Sequence, residues 1–206
     1  MGHSTRQNGS HRGRRTTVPL ALVSCALLVV SVLAVAPALA TNQGSVGSPG
    51  VSGTTNGVWW TPDSTWRVAK ASLGSSYFTG VTNALLNEYN PTDLTVYQYS
   101  TTSCTQETCA MDSDYGNNGV YGWNACYPGA TSGSHPNQTC SNDWVRFNTY
   151  FTPPSPGHSY VSCHELGHAV GLRHSSENAS CLRTVLAGGN TAALTSHDRG
   201  HINSHY

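Results

Sequence analysis

The chain has 206 residues with ten basic and ten acidic side chains, but all ten acidic residues and only six of the basic ones lie beyond residue 40. The part after residue 40 is therefore acidic, and Lys70 is its only lysine. Because an acidic domain of this kind lacks the positive surface that binds phosphate groups, we expect no nucleic-acid partner.

The N-terminus has the pattern of a secretory signal peptide. A basic stretch at residues 12–15 precedes an apolar run at residues 18–35, and the small residues at 38–40 match a cleavage site. We predict that residues 1–40 are removed and that the protein is secreted, extracellular and free of the membrane. The alternative is a membrane anchor, because about eighteen apolar residues can just span a bilayer.

The rest of the chain divides by composition into two parts. Residues 41–57 are rich in Gly, Ser, Thr and Asn and have no periodic apolar pattern, which predicts a flexible extension. Residues 58–206 are long enough to bury a hydrophobic core, and we expect them to form one monomeric domain. The lysine-poor, Ser/Thr/Gly-rich composition of residues 41–206 is typical of a bacterial exported protein.

The first half of this domain shows alternating strand and helix patterns. We predict a strand with its lead-in at residues 58–73, an amphipathic helix at residues 77–89 and a second strand at residues 93–99. The helix prediction rests on apolar side chains three to four residues apart, namely Phe78, Val81, Leu85 and Tyr89.

A polar segment follows at residues 101–118, which we predict to be a loop. Its side chains with calcium-binding oxygens are Asp112, Asp114, Asn117 and Asn118. They do not fit the EF-hand spacing, and clusters of Asp, Asn and Gly usually form turns, so a calcium ion is only an alternative here.

Two more strands are predicted before the histidine-containing segment that is described next. Residues 120–127 form a short strand, residues 128–141 a loop, and residues 144–151 the clearest strand of the chain. In the last of these, alternation places Val145, Phe147 and Phe151 on one face and Trp144, Arg146, Asn148 and Tyr150 on the other.

The segment from His164 to His174 reads H-E-L-G-H-A-V-G-L-R-H. A proline-rich breaker precedes it, and Ser159 is the predicted N-cap of its helix. His164 and His168 share one face of that helix and can hold one ion together, while Glu165 can reach a water on the metal.

Gly171 can end the helix in a left-handed conformation, so that the chain folds back and His174 becomes a third nitrogen ligand. Three protein ligands leave one coordination position open, as in a catalytic zinc site. The alternative is a helix with surface histidines, which requires neither the glycine nor the third histidine.

The segment resembles the metzincin metalloproteases, whose pattern is H-E-x-x-H-x-x-G-x-x-H, and Ser175 after it is similar to the matrixin-like branch. The resemblance implies a zinc-dependent endopeptidase that acts on proteins or peptides and binds one catalytic zinc ion. His164, His168 and His174 would be its zinc ligands and Glu165 its general base.

The resemblance also implies the fold of residues 58–206. It is an α+β, zincin-like, disulfide-stabilised domain with a twisted mixed sheet, a few helices and the zinc helix at the base of the cleft. In metzincins the strand before the zinc helix lies at the edge of the cleft and pairs with extended substrate. The resemblance would therefore place substrate on the loops and strands in the 120s to 150s, without singling out contact residues.

One feature of the family pattern is altered. Metzincins carry a methionine beneath the metal, about eight residues after the third histidine in matrixin-like enzymes, where this chain has Leu182. Leucine supplies a similar apolar floor. The altered turn leaves open a second interpretation, a secreted zinc-containing module that binds peptides without cleaving them.

Seven cysteines are present, and six of them lie beyond residue 40. An even number in an exported domain predicts disulfides, although many pairings are possible. We expect sequential pairs, namely Cys104–Cys109, Cys126–Cys140 and Cys163–Cys181. The last pair would tie the zinc helix to the segment after His174.

The C-terminal segment begins with a capping-box pattern at residues 195–198, which predicts a short helix. His197, His201 and His205 follow at four-residue spacing. They could form a second metal site, but no carboxylate at matching spacing completes it, and we expect exposed histidines.

Overall fold

The computed structural model describes residues 58–127, 139–154, 156–184 and 191–206. The predicted signal peptide, the predicted extension and most of the predicted loop at residues 128–141 lie outside these ranges. Within them, none of the helices has the length and apolar character needed to cross a lipid bilayer.

The described residues form five strands and three helices. In chain order these are β1 (Thr65–Lys70), α1 (Ser75–Ala84), β2 (Thr95–Ser100), β3 (Thr108–Ser113), β4 (Gly122–Cys126), β5 (Asp143–Asn148), α2 (Gly157–His168) and α3 (Ser196–His205). Helix α1 continues as one π-helical turn, Leu85–Tyr89. The predicted α+β fold with a mixed sheet and a few helices is confirmed.

The sheet has the strand order β2-β1-β3-β5-β4. The first four strands in this order are parallel, and β4 runs antiparallel to β5. Parallel neighbours require long connections, and α1 supplies the one between β1 and β2. The antiparallel β4 forms one edge of this sheet.

Two sequence-based predictions about strands are wrong. The predicted loop at residues 101–118 contains β3, whose first half is buried between β1 and β5. Strand β5 ends at Asn148, before its predicted end at Phe151. It lies inside the sheet, because β4 pairs with it on the side away from β3.

The hydrophobic core lies between the sheet and the helices. Tyr77 of α1 stacks on Phe147 of β5, with ring centroids 4.5 Å apart, and Tyr89 meets Trp66 of β1 edge-on at 5.3 Å. The largest fully buried side chains are Trp66, Tyr89, Phe147, Leu85, Leu166, Leu172, Leu182, Ile202, Val68, Val81, Val145 and Val170. The predicted inward face of β5 is therefore correct at Val145 and Phe147.

The side chains considered as calcium ligands make hydrogen bonds inside the protein. Asp112 Oδ2 accepts from the Gly74 amide at 2.7 Å, and Asp114 Oδ1 accepts from the Gly116 amide at 2.8 Å. Asn118 Oδ1 accepts from Asn148 Nδ2 at 2.8 Å. These bonds fit the turn-forming role that Asp and Asn usually have.

Helix α2 begins two residues before its predicted N-cap. Pro156 occupies the N-cap position, Gly157 is the first helical residue, and no side chain caps this end. Proline is tolerated at the start of a helix because the first amides have no partner within the helix. The prediction of Ser159 as N-cap is therefore wrong.

All three predicted disulfides are present, namely Cys104–Cys109, Cys126–Cys140 and Cys163–Cys181. The predicted C-terminal capping box is present as well, with Thr195 as N-cap and Asp198 as its partner. The expectation of exposed histidines on α3 is wrong for His201, which is 5% exposed because it lies on the face of α3 turned to the protein.

The beginning and the end of the described chain meet beside α2. The ring of Trp60 stacks on that of His205, with centroids 3.4 Å apart, and the hydroxyl of Tyr206 accepts a hydrogen bond from the Thr61 amide at 3.1 Å. The Trp59 amide donates to the carbonyl of His168 at 3.0 Å. The lead-in to β1 therefore supports the C-terminal end of α2.

Candidate metal centre

Helix α2 brings two imidazoles together at its last turn. His164 and His168 are buried, and their Nε2 atoms lie 3.1 Å apart. Residues four apart lie on the same face of a helix, so this proximity follows directly from the sequence spacing.

The turn after α2 depends on a glycine. Gly171 has φ of +86°, and the Leu172 amide donates to the carbonyl of Gly167 at 2.9 Å, which closes a Schellman motif. A Cβ atom at Gly171 would lie 2.3 Å from the ring of Trp60. Both the backbone angle and the packing therefore require glycine here, as the sequence predicted.

This turn brings His174 back to the two helical histidines. Its ring centroid lies 5.1 Å from that of His164 and 5.0 Å from that of His168. One nitrogen atom of each ring lies within 4.8 Å of the others, and the described residues contain no second group of this kind. The three histidines could hold a metal ion.

The hydrogen bonds of the helical histidines test whether the site fits zinc. Nδ1 of His164 lies 2.7 Å from the carbonyl of Cys181, and Nδ1 of His168 lies 2.7 Å from that of Leu172. A carbonyl only accepts, so each Nδ1 carries the proton and each Nε2 presents a lone pair. Two lone pairs that face each other at 3.1 Å favour a cation between them, and three imidazoles are a typical donor set for zinc.

The pKa values of the three histidines also favour metal binding. Burial, together with the neighbouring His174, lowers the pKa of His164 to about 3. Burial and the other two histidines lower the pKa of His168 well below its usual range, and burial with Arg173 lowers that of His174. The imidazoles are therefore neutral near pH 7, which is the form that binds metals.

Glu165 is the acidic group of this site. Its side chain is buried, and burial followed by the charge of Asp143 raises its pKa to about 8. It packs against β4, where a Cβ atom at Gly122 would lie 2.8 Å from Glu165 Cγ and 3.0 Å from its Oε1. The carboxyl group therefore lies between α2 and the edge strand of the sheet.

Three residues around Glu165 could not be recognised from the sequence. Asn124 of β4 donates through Nδ2 to Asp143 Oδ2 at 3.1 Å and to the backbone carbonyl of Glu165 at 2.8 Å. Gly122 makes room for the Glu165 side chain. No local pattern identifies these residues, because the pairing of β4 with β5 brings them together.

The position expected to replace the family methionine lies directly against α2. Leu182 is fully buried, and a Cβ atom at Gly167 would lie 2.8 Å from Leu182 Cδ1. The backbone of Leu182 accepts a hydrogen bond from the Ser175 amide at 2.9 Å. Leu182 thus supplies an apolar surface next to the segment that carries His174.

The comparison with protein families agrees with this geometry. The model of the matrixin family, Peptidase M10, matches residues 62–206. No curated protein matches the chain. The matched range contains all five strands, all three helices and the three histidines. The chain therefore belongs to the matrixin family, a branch of the metzincin-type metalloproteases.

Proposed function

We propose that this protein is a secreted zinc-dependent endopeptidase. The observation that carries the proposal is the group of three neutral imidazoles with a buried carboxyl group beside it. A metal site of purely structural purpose has four protein ligands, whereas this group provides three and leaves a position for substrate. The disulfides support an oxidising, extracellular location.

His164, His168 and His174 would hold the ion through their nitrogen atoms. Zinc, when bound, lowers the pKa of water and polarises the scissile carbonyl group. Glu165 accepts a proton from the attacking water and then delivers it to the leaving nitrogen. This role suits Glu165, because its carboxyl group is buried and follows the proposed ligand His164 directly in the chain.

Strand β4 is the proposed binding edge for substrate. It pairs with β5 on one side only, and its Gly122 lies next to Glu165. An extended peptide could add to this edge through main-chain hydrogen bonds, while side-chain pockets set the preference. The proposed substrate edge is thus β4, and the protein would act as a monomer.

The test is hydrolysis of casein by purified residues 41–206, with and without a chelator, beside two variants. We expect Glu165→Gln to keep one catalytic zinc ion and to lose activity by about 100- to 10,000-fold. Asp93→Asn, which changes an exposed carboxylate, is the matched control and should retain full activity.

Two outcomes would contradict the proposal. Normal turnover by Glu165→Gln would show that Glu165 is not the general base. A zinc-loaded wild-type protein that binds peptides but cleaves neither casein nor a peptide library would instead favour the peptide-binding module.

A further inference from the structure

A second pair of histidines lies one turn apart on α3. Nε2 of His197 is 3.1 Å from Nε2 of His201, with ring centroids 4.3 Å apart and ring planes at 77°. His201 is buried at 5% exposure and His197 is half-buried, so one ring is held by the fold while the other borders solvent. The His197 side of the pair is therefore open to solvent, and the His201 side is held by the fold.

The pair has the same geometry as the two helical histidines of the first site. His164 and His168 also have Nε2 atoms 3.1 Å apart, with centroids 4.7 Å apart and ring planes at 83°. In both cases a four-residue spacing on a helix aims two Nε2 atoms at one point. The similarity concerns the ligand atoms themselves and not only the sequence spacing.

We propose that His197 and His201 bind a second transition-metal ion of the zinc class, separate from the ion of the first site. Two imidazoles favour zinc, copper, nickel or cobalt over calcium and magnesium, which prefer oxygen ligands. The site is a surface site, because the described residues contain no third His, Cys, Asp or Glu already at ligand distance from the pair. Water completes the coordination.

The carboxylate next to His197 does not complete the site. Asp198 Oδ2 accepts hydrogen bonds from Ser180 Oγ at 2.7 Å and from the Thr195 amide at 2.9 Å, so it is used for the packing and capping of α3. The two imidazoles are therefore the protein ligands of this site.

An ion bound here would stabilise the folded protein. His197 and His201 lie one turn apart, so their Nε2 atoms come together only while α3 is formed. A ligand that binds only the folded state raises stability with the logarithm of its concentration once that concentration exceeds its Kd.

The experiment measures zinc content per chain after dialysis of residues 41–206 against micromolar free zinc. We expect His197→Gln to bind one ion fewer than the wild type. His205→Gln is the matched control on the same helix. His205 stacks on Trp60 and is not part of the pair, so the His205→Gln variant should bind as many ions as the wild type. The difference of one ion holds whether or not the first site is occupied, so it is independent of the proposed protease function.

A second measurement guards against a folding defect. In the presence of a chelator His197→Gln and His205→Gln should unfold at nearly the same temperature as the wild type. Added zinc should raise the unfolding temperature of the wild type and of His205→Gln more than that of His197→Gln. Equal zinc content in the wild type and His197→Gln, or loss of the ion in His205→Gln, would overturn the proposal.

Discussion

At the scale of single residues, Gly122 connects the edge strand with the proposed general base. A Cβ atom at this position would meet the Glu165 side chain and would also lie 3.0 Å from the carbonyl of Arg146 on β5. Neither neighbour can move freely, because one belongs to the backbone of the sheet and the other to a buried side chain. Glycine is thus required here for space.

We expect Gly122→Ala to lower kcat/KM for casein by about 100-fold, because a displacement on the order of 1 Å at a catalytic group has such an effect. Zinc content should stay at the wild-type level. Gly200→Ala is the control, since a Cβ atom there meets nothing within 4 Å. It should keep activity and stabilise α3 by about 1 kcal/mol. Full activity of Gly122→Ala would show that Glu165 tolerates a shift.

The residues of the metal group could be predicted from the sequence, whereas their neighbours could not. The spacing of His164 and His168 equals one helical turn, and Gly171 marks the reversal that returns His174, so local geometry defines the group. Asn124 and Asp143 are 19 residues apart in sequence. Their contact depends on the register between β4 and β5, which a sequence does not specify by itself.

At the scale of elements, one disulfide joins α2 to the segment that follows the third histidine. Cys163 precedes His164 directly, and the carbonyl of its partner Cys181 accepts the hydrogen bond from His164 Nδ1. The covalent link therefore holds the acceptor that orients the ring. Outer partners of metal ligands commonly change metal affinity by about 10- to 100-fold when they are removed.

We expect replacement of both Cys163 and Cys181 by alanine to weaken zinc binding by about tenfold or more, measured by competition with a chelator. The closed loop spans 18 residues, so unfolding should also become easier by roughly 3 kcal/mol. Replacement of Cys104 and Cys109, whose bond has a sequence separation of only 5 and adjoins none of the three histidines in the chain, is the control. Equal zinc affinity in both double variants would show that the Cys163–Cys181 bond does not orient His164.

Strand β3 shows why an element can be missed when its neighbours are predicted well. Its residues Thr108–Ser113 include Cys109, Ala110 and Met111 between polar ends, so no alternation of apolar and polar side chains is visible. It is a strand because β1 and β5 flank it on both sides and satisfy its backbone. The sheet, rather than the intrinsic preference of these residues, decides the structure here.

At the scale of the whole molecule, Asp143 makes folding depend on pH. Burial raises its pKa from 3.8 to about 7, against the opposing effects of Arg146 and of Asn124. The folded protein therefore holds a proton that the unfolded chain releases between these two pH values. The contribution of Asp143 to the free energy of unfolding is therefore greatest below pH 4. This contribution is lost as the pH rises toward 7, and the loss is about 4 kcal/mol at most.

We expect Asp143→Asn to remove this dependence. The measurement is urea unfolding of the zinc-loaded wild type and variant at roughly pH 5 and roughly pH 8, which lie on either side of the raised pKa. The free energy of unfolding should fall less between these two pH values in the variant than in the wild type. The difference between the two proteins reports the titration of Asp143 together with its effect on the pKa of Glu165, since both proteins carry the same histidines. A parallel decline of both proteins with pH would mean that Asp143 stays ionised in the folded state.

The contact between the two ends of the described chain also sets the time at which the metal turn can form during synthesis. Trp60, which packs on Gly171, also stacks on His205, and the neighbouring hydrogen bond joins residues 145 positions apart. His205 and Tyr206 follow His174 by about 30 residues, which a ribosome adds in roughly 2 to 6 seconds. During this interval the nascent chain carries the histidine motif without these two residues, so the metal turn gains its full support only after residue 206 has been made.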